Sequence, residues 1–293
     1  MKVPFNYYGC KNAVAAEVWR RFGQVSHYME PFCGSAAVLL SRPDWKPGMV
    51  ETINDIHGAL VNFFRAVKFK PDEVLEWLIW PPTELDLIAR QHAVLDADSE
   101  LRTKLIDDDT YCDARLAAYY CYVTRVAIGT PWQHRYNEQQ LPSLARRLIL
   151  TPDQWKRTIH ELSERLVNVR VACGHWERIF NRRAIYVAGR PVGVFFDPPY
   201  PGSYNGAYVQ SSEETFAEVL EWAKEHECQD IRIAVCATPE LLEPLAERKW
   251  DIYVWKRVGG YGNQAKSKAR NSRLEAIAFS PSCVSTPPYS LSW

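Results

Sequence analysis

Apolar positions in this chain follow two periods, and the switches between them divide the sequence. From about Asn12 to Phe22, Val14, Val18 and Trp19 recur at helical spacing, and Gly23 marks a stop. The stretch QVSHYMEPFCGSAAVLL then reads as strand, turn and helix start. PGMVETINDIHGALVNFFRAV reads as a second strand ending near Asn54 and Asp55, then a helix with Leu60, Phe63, Phe64 and Val67 on one side. This β-α-β-α opening predicts an α/β fold. Between about Lys70 and Arg165 strand signals vanish, and helical stretches carrying tryptophan replace them: DEVLEWLIW, ELDLIARQHAVL, DARLAAYYCYVTRVAI and TPDQWKRTIHELSERL. The pattern predicts a helical subdomain over residues 70–165, inserted into a main domain made of residues 1–69 and 166–282. The acidic run Asp107, Asp108, Asp109 is expected to open one of the inserted helices on a solvated face. Strands resume in LVNVRVACG, VGVFFD, DIRIAVCA, WDIYVWKRV and LEAIAFSP. The last two flank GGYGNQAKSKARNSR and suit an antiparallel hairpin at a sheet edge. Residues 283–293 read as a loose tail.

Composition narrows the class without naming a function. Of 293 residues, 47% are hydrophobic and 24% charged, ordinary values for a globular chain with a sizeable core. No apolar run reaches the length of a membrane span, and MKVPFNYYGCK lacks the apolar stretch of a secretory signal, so a cytoplasmic protein is expected. Eight cysteines are scattered without a C-x-x-C pair, which points to buried thiols rather than a zinc site or a disulfide framework. Lys plus Arg equals Asp plus Glu at 35 each. Net charge therefore gives no support to a polyanionic partner, and any such case rests on local clusters.

The sharpest chemistry lies in FFDPPYPGSY, residues 195–204. Val192, Val194, Phe195 and Phe196 form an apolar run of strand length, so Asp197 sits where a strand covered on both faces leaves the core. In open α/β sheets that edge binds ligands. Pro198 and Pro199 fix two φ angles and remove two N–H donors, leaving a rigid corner rich in acceptors. The Asp197 carboxylate and the Pro198 carbonyl can together accept both hydrogens of an –NH2 group, while Tyr200 offers a face for a flat heterocycle. An amine on an aromatic ring is the substrate this suggests; a tight surface turn would use the same residues.

A second site is indicated by EPFCGSAAV, residues 30–38. It is a strand-to-helix turn in which Gly34, Ser35 and Ala36 leave a helix N-terminus open. Asp55, about twenty residues on and at the end of the next strand, stands where doubly wound folds place an acid on ribose hydroxyls. It or Asn54 could equally cap the following helix. There is no P-loop and no G-x-G-x-x-G, so an adenosine with a short charged tail fits better than a polyphosphate.

In order along the chain, YYGCK (7–11), EPFCGSAAV (30–38), INDIHGALVNFFRAV (53–67), VACGHWERIF (171–180), FFDPPY (195–200) and RNSRLEAIAFSP (270–281) resemble the blocks of the S-adenosylmethionine-dependent DNA adenine methylases. The likeness is to the Dam-like enzymes, and in detail to phage and prophage relatives. It implies a Rossmann-like class I methyltransferase sheet with a helical target-recognition subdomain over 70–165. It implies that Tyr7 and Lys11 flank S-adenosylmethionine, with Lys11 near its methionine end, and that Phe32 and the Gly34 turn line the same pocket. Asp55 would hold the ribose, Trp176 would lie against the adenine ring, and Asp197 would adjoin the cofactor. His175 stands where the family has an acid that reads the adenine amine, and Cys10 and Ala36 stand where glycine is common.

The activity implied is methyl transfer to the exocyclic amine of an adenine flipped out of duplex DNA and stacked on Tyr200, with Asp197 and Pro198 as the amine-activating corner and no metal required. Positive surface for DNA is expected in KRVGGYGNQAKSKARNSR, which carries Lys256, Arg257, Lys266, Lys268, Arg270 and Arg273 without an acid. In the insertion, Arg125, Trp132, His134, Arg135 and Tyr136 mix donors with aromatics suited to base reading, and Arg146, Arg147, Lys156 and Arg157 add charge. The competing readings are methylation of the cytosine amine, an RNA substrate, and a nucleic-acid-binding relative that has lost catalysis.

Overall fold

The computed structural model describes residues 1–5, 7, 9–79, 83–127, 131–132, 134–137, 149–201, 212–256 and 274–285. Among them the α-helices are α1 (Ala15–Phe22), α2 (Ala37–Leu40), α3 (Gly58–Phe69), α4 (Pro71–Leu78), α5 (Glu84–Asp107), α6 (Ala114–Val126), α7 (Pro152–Leu166), α8 (Arg182–Ile185), α9 (Ser212–Glu225) and α10 (Glu243–Ala246). The strands are β1 (His27–Glu30), β2 (Val50–Asp55), β3 (Val169–Cys173), β4 (Val192–Phe196), β5 (Ile231–Ala237), β6 (Asp251–Lys256) and β7 (Leu274–Phe279). The fold is mixed α/β. No described helix is long and apolar enough to cross a membrane.

The chain divides into two compact units. The first comprises Met1–Cys10, Pro31–Leu40 and Glu51–Asn181; the second comprises Lys11–Glu30, Ser41–Val50 and Arg182–Trp293.

In the first unit β2 and β3 pair in parallel from Glu51↔Val169 to Asp55↔Cys173, and α3 through α7 are helical as the sequence pattern predicts. Local signals set their ends. Thr83 and Asp86 close a capping box on α5, Thr151 and Gln154 another on α7 with Pro152 in its first turn, and the Asp113 carboxylate accepts the Leu116 N–H to start α6. The acidic run does not open a helix. Asp107 is the last residue of α5, and the Asp108 side chain instead accepts the N–H of Thr110 at 2.8 Å and that of Tyr111 at 3.2 Å. An aspartate that binds the main chain just ahead of it forms a turn in place of the next helical turn. Arg65 on α3 completes this end, donating to the carbonyls of Leu105 (2.9 Å), Asp108 (2.7 Å) and Val171 (2.9 Å). Those carbonyls include the ones a helix terminus leaves without an internal partner.

In the second unit the strands run β1-β4-β5-β7-β6. The β1/β4 and β4/β5 pairs are parallel, whereas β7 is antiparallel to both its neighbours, giving the expected hairpin with β6. All five residues of β4 are buried, as its continuous apolar run requires. Helix α1 starts at Ala15 rather than near Asn12, because Lys11 to Val14 form a preceding turn in which Lys11 O accepts the N–H groups of Val14 and Ala15. Its C-terminal Gly23 returns an N–H to Trp19 O at 2.8 Å.

Candidate active site

The first unit carries the nucleotide-like turn. Asp55, at the end of β2, is 4% exposed, and main-chain donors hold both its carboxylate oxygens: His57 N–H to Oδ1 at 2.9 Å and Gly34 N–H to Oδ2 at 3.0 Å. The N-cap of α3 is His57, so Asp55 shapes the approach to that helix and also ties it to the turn after β1. The Cys33 Sγ also lies 4.0 Å from Oδ2, so the carboxylate is held from several sides at the end of β2.

Gly34 has φ 45°, and a Cβ there would come within 2.8 Å of the Tyr7 ring, so only glycine lets Tyr7 lie against this turn. Ala36 adopts φ 50°, the left-handed region in which a methyl side chain is strained. The alanine noted in place of a family glycine thus occupies a conformation that glycine accepts freely. Phe32 is half-buried and packs its ring 6.1 Å from Trp176. Trp176 itself is 2% exposed and also meets Phe180 edge-on, so in this structure it backs Phe32 from within the core. His175 is exposed, with Nδ1 3.6 Å from Glu177 Oε2.

The second unit carries the corner after β4. Lys11 Nζ lies 2.8 Å from Asp197 Oδ2, with side chains 10% and 24% exposed. Burial works against the ammonium, but Asp197, with Glu275 behind it, outweighs that and holds the Lys11 pKa well above its ordinary value. Strand register explains the crowding. Paired residues on adjacent strands share a face, as do residues two apart along a strand. The pairs Met29↔Val194, Phe196↔Val235 and Cys236↔Ile277 therefore place Glu30, Asp197, Cys236 and Glu275 on one face of this part of the sheet. Glu30 and Glu275 are buried, and Glu30 accepts the Tyr28 hydroxyl hydrogen at 3.0 Å. Burial, reinforced by Asp197, pushes the Cys236 thiol well above its usual range, so it stays protonated and is no nucleophile. Pro198 is buried, and Tyr200 is half-buried with its ring edge-on to Phe216 at 6.4 Å.

A model of the D12 class N6 adenine-specific DNA methyltransferases matches residues 7–233, which take in both the Asp55 turn and the Asp197 corner. The chain belongs to this family. It is similar to the Type II methyltransferase M1.LlaDCHI of Lactococcus lactis subsp. cremoris, at 26% identity over 262 residues, which cover 86% of this chain and 85% of the relative. The protein is an adenine-specific DNA methyltransferase, and its substrate is DNA.

The methyltransferase holds the inserted DNA-reading candidates in internal contacts. Arg125 donates to Pro4 O and lies 5.5 Å from the Trp155 ring centre. Trp132 stacks on Tyr120 at 5.1 Å and donates Nε1–H to Thr124 Oγ1 at 3.0 Å. Arg135 forks onto both oxygens of Asp96 at 2.6 and 2.9 Å. Lys156 and Arg157 are exposed on α7. The Lys256 side chain, together with Arg257, Lys266, Lys268, Arg270, Arg273, Arg146 and Arg147, lies outside the described residues.

The partners of three methyltransferase residues are not legible in the local sequence, and Asn54, a candidate helix cap, serves a different purpose. The Asn54 side-chain N–H2 reaches both Pro31 O and Gly174 O at 3.0 Å, joining the turn after β1 to the end of β3. Glu30 and Glu275 were visible only as acids inside apolar strands, a signal that marks a buried charged group without naming its partner. Among the described residues no cluster of three or more His, Cys, Asp or Glu side chains is placed to hold a metal ion.

Proposed function

We propose that the methyl donor is S-adenosylmethionine and that the acceptor is an adenine turned out of duplex DNA and presented to the Asp197 corner. The observation that carries this reading is the Lys11–Asp197 ion pair, which fixes a carboxylate where the wholly buried strand β4 ends.

The residues of the Asp55 turn fit such a cofactor. Asp55 is a buried acceptor already oriented by two N–H groups, suited to ribose hydroxyls, and Tyr7, Phe32 and Gly34 supply flat walls and close backbone approach. His175 and Trp176 belong to the same unit and would serve its adenine, His175 from the surface and Trp176 by supporting Phe32. When bound, the cofactor supplies an electrophilic methyl on a sulfonium.

The exocyclic amine of adenine is a weak nucleophile because its lone pair is shared with the ring. In this reading Asp197 and the Pro198 carbonyl accept its two hydrogens, which favours a pyramidal nitrogen with its lone pair free to attack. Lys11 bonds to Oδ2 and so fixes the carboxylate plane, while lone-pair sites on Asp197 remain for the amine. Tyr200 supplies the stacking surface for the extruded base, whose unpairing the duplex contacts must offset.

The decisive experiment transfers labelled methyl from S-adenosylmethionine to mixed-sequence duplex DNA and identifies the modified nucleoside after digestion. N6-methyladenine, lost in Asp197→Ala while cofactor binding persists, is the expected result. Normal turnover by that variant would overturn the role given to the corner, and methylcytosine as the product would overturn the choice of base.

A further inference from the structure

The helical part of the first unit holds a cleft of about 300 Å3, lined by Trp77 of α4, by Asp86, Ala89, Arg90 and Ala93 of α5, and by Arg115 and Tyr119 of α6. The α5 residues stand at helical spacing along one stripe, and so do Arg115, Tyr119 and Tyr122 on α6. Between them runs a ladder of alternating rings and guanidinium groups. Arg115 lies 5.5 Å from the centre of Trp77 and 5.6 Å from that of Tyr119. Arg90 lies 5.2 Å from Tyr119 and 4.9 Å from Tyr122.

A guanidinium with rings against its faces keeps its in-plane N–H donors for ligands and loses little freedom on using them. Arg115 is exposed, whereas Arg90 is only 8% exposed and adds its charge from beneath. Ala89 and Ala93 leave room above the helix. The acid at the rim, Asp86, is engaged by Thr83, which donates its N–H at 2.6 Å and its hydroxyl at 2.8 Å to Oδ2. Two guanidinium groups against one carboxylate, which Thr83 already engages, leave the cleft net positive, and its small floor residues suit a compact oxyanion.

We propose that this ladder is a phosphate-binding subsite that grips one phosphodiester of the DNA substrate, with Arg115 as the contacting residue and Arg90 as the charge behind it. The assignment to DNA rests on the reading of duplex DNA as substrate. Of the other cationic candidates described in this region, Arg125 is bound to Pro4 and Arg135 to Asp96, whereas Lys156 and Arg157 on α7 are exposed but have no such ladder of rings among the described contacts. The Trp77 and Tyr119 rings then serve to hold the fork rather than to stack on a base.

The test uses the full chain and measures binding to mixed-sequence duplex DNA across a salt series for the wild type, Arg115→Gln and Arg115→Lys. Arg115→Gln should weaken binding roughly fivefold to tenfold near physiological salt and reduce the slope of log affinity against log salt by about 0.9, the loss of one phosphate contact. Arg115→Lys should restore the slope but only part of the affinity, since it returns the charge without the fork. S-adenosylmethionine affinity should be the same in all three, which shows that the variants are folded. An unchanged slope and affinity in Arg115→Gln, with normal methyl transfer by the wild type, would overturn the subsite and leave the reaction intact; a wild type that transfers no methyl to duplex DNA would overturn both. Titration with inorganic phosphate at constant ionic strength separates the sources. Phosphate binding that depends on Arg115, without a change in DNA slope, would mark a site for free phosphate and defeat the assignment to DNA.

Discussion

Asp55 and Asp197 both stand at the ends of buried parallel strands, yet main-chain N–H groups hold the first and a lysine ammonium holds the second. The Asp55 clamp is built from Gly34 and His57 backbone, so it survives most side-chain changes around it. The Asp197 clamp is one side chain on another and can be removed by a single substitution. In the proposed reading, the acid that binds cofactor is set by local chain geometry, whereas the acid that meets the reacting amine is set by a partner with its own charge and reach.

The contrast is broken most severely by Asp197→Ala, which should lower methyl transfer by about a thousandfold or more while cofactor affinity, read by calorimetry, stays near wild type. Lys11→Met leaves the acid in place without its ammonium; kcat should fall by about ten- to a hundredfold in single-turnover assays, and an undiminished kcat would reduce the pair to packing. The same variant has a pH signature. The folded-state pKa of Lys11 lies above its ordinary 10.5, so the stabilisation it contributes is fully present below that value and is lost as pH rises through the higher folded one. The gap in urea-unfolding free energy between wild type and Lys11→Met should therefore stay constant from neutral pH to about pH 10 and narrow only above it.

On the other side, Asp55→Ala should weaken S-adenosylmethionine binding roughly ten- to a hundredfold, the worth of charged hydrogen bonds to hydroxyls, with a smaller effect on turnover at saturating cofactor. Unchanged affinity would leave Asp55 as a purely structural tie. The smallest effect is expected from Gly34→Ala, where a Cβ 2.8 Å from Tyr7 at a positive φ should cost about 1–3 kcal/mol in thermal or urea unfolding.

How far the sequence foretells this arrangement depends on the range of the contact involved. The strand before Asp197 and the corner after it are legible because burial on both faces leaves a continuous apolar run that ends at an acid. Asp55 is legible through its spacing from the turn at Gly34. Glu30 and Glu275 are not, because their convergence on Asp197 follows from register across β1, β4, β5 and β7, which no local pattern records. The run at Asp107 to Asp109 differs from expectation for a related reason. Acids suit a helix start, and only the unbroken helix from Thr83 together with the turn bonds of Asp108 shows that they close one. The resemblance places Trp176 against a ligand ring, while its burial behind Phe32 depends on packing that no local pattern records. The partners of Arg125 and Arg135, Pro4 and Asp96, lie too far along the chain for any spacing to suggest them.

Arg65 bears on the exchange of modules between enzymes. Its guanidinium joins α3, which follows directly from the Asp55 turn, to β3 and to the closing turn of α5 through three carbonyl oxygens. A helical segment transplanted from another methyltransferase must therefore bring carbonyls to the same two points at the end of α5, or leave a buried cation facing empty acceptor positions. Seams for hybrid enzymes are better cut after Asp108 than within α5, so that the host keeps Arg65 together with both of these carbonyls and the strands beside Asp55 are not disturbed.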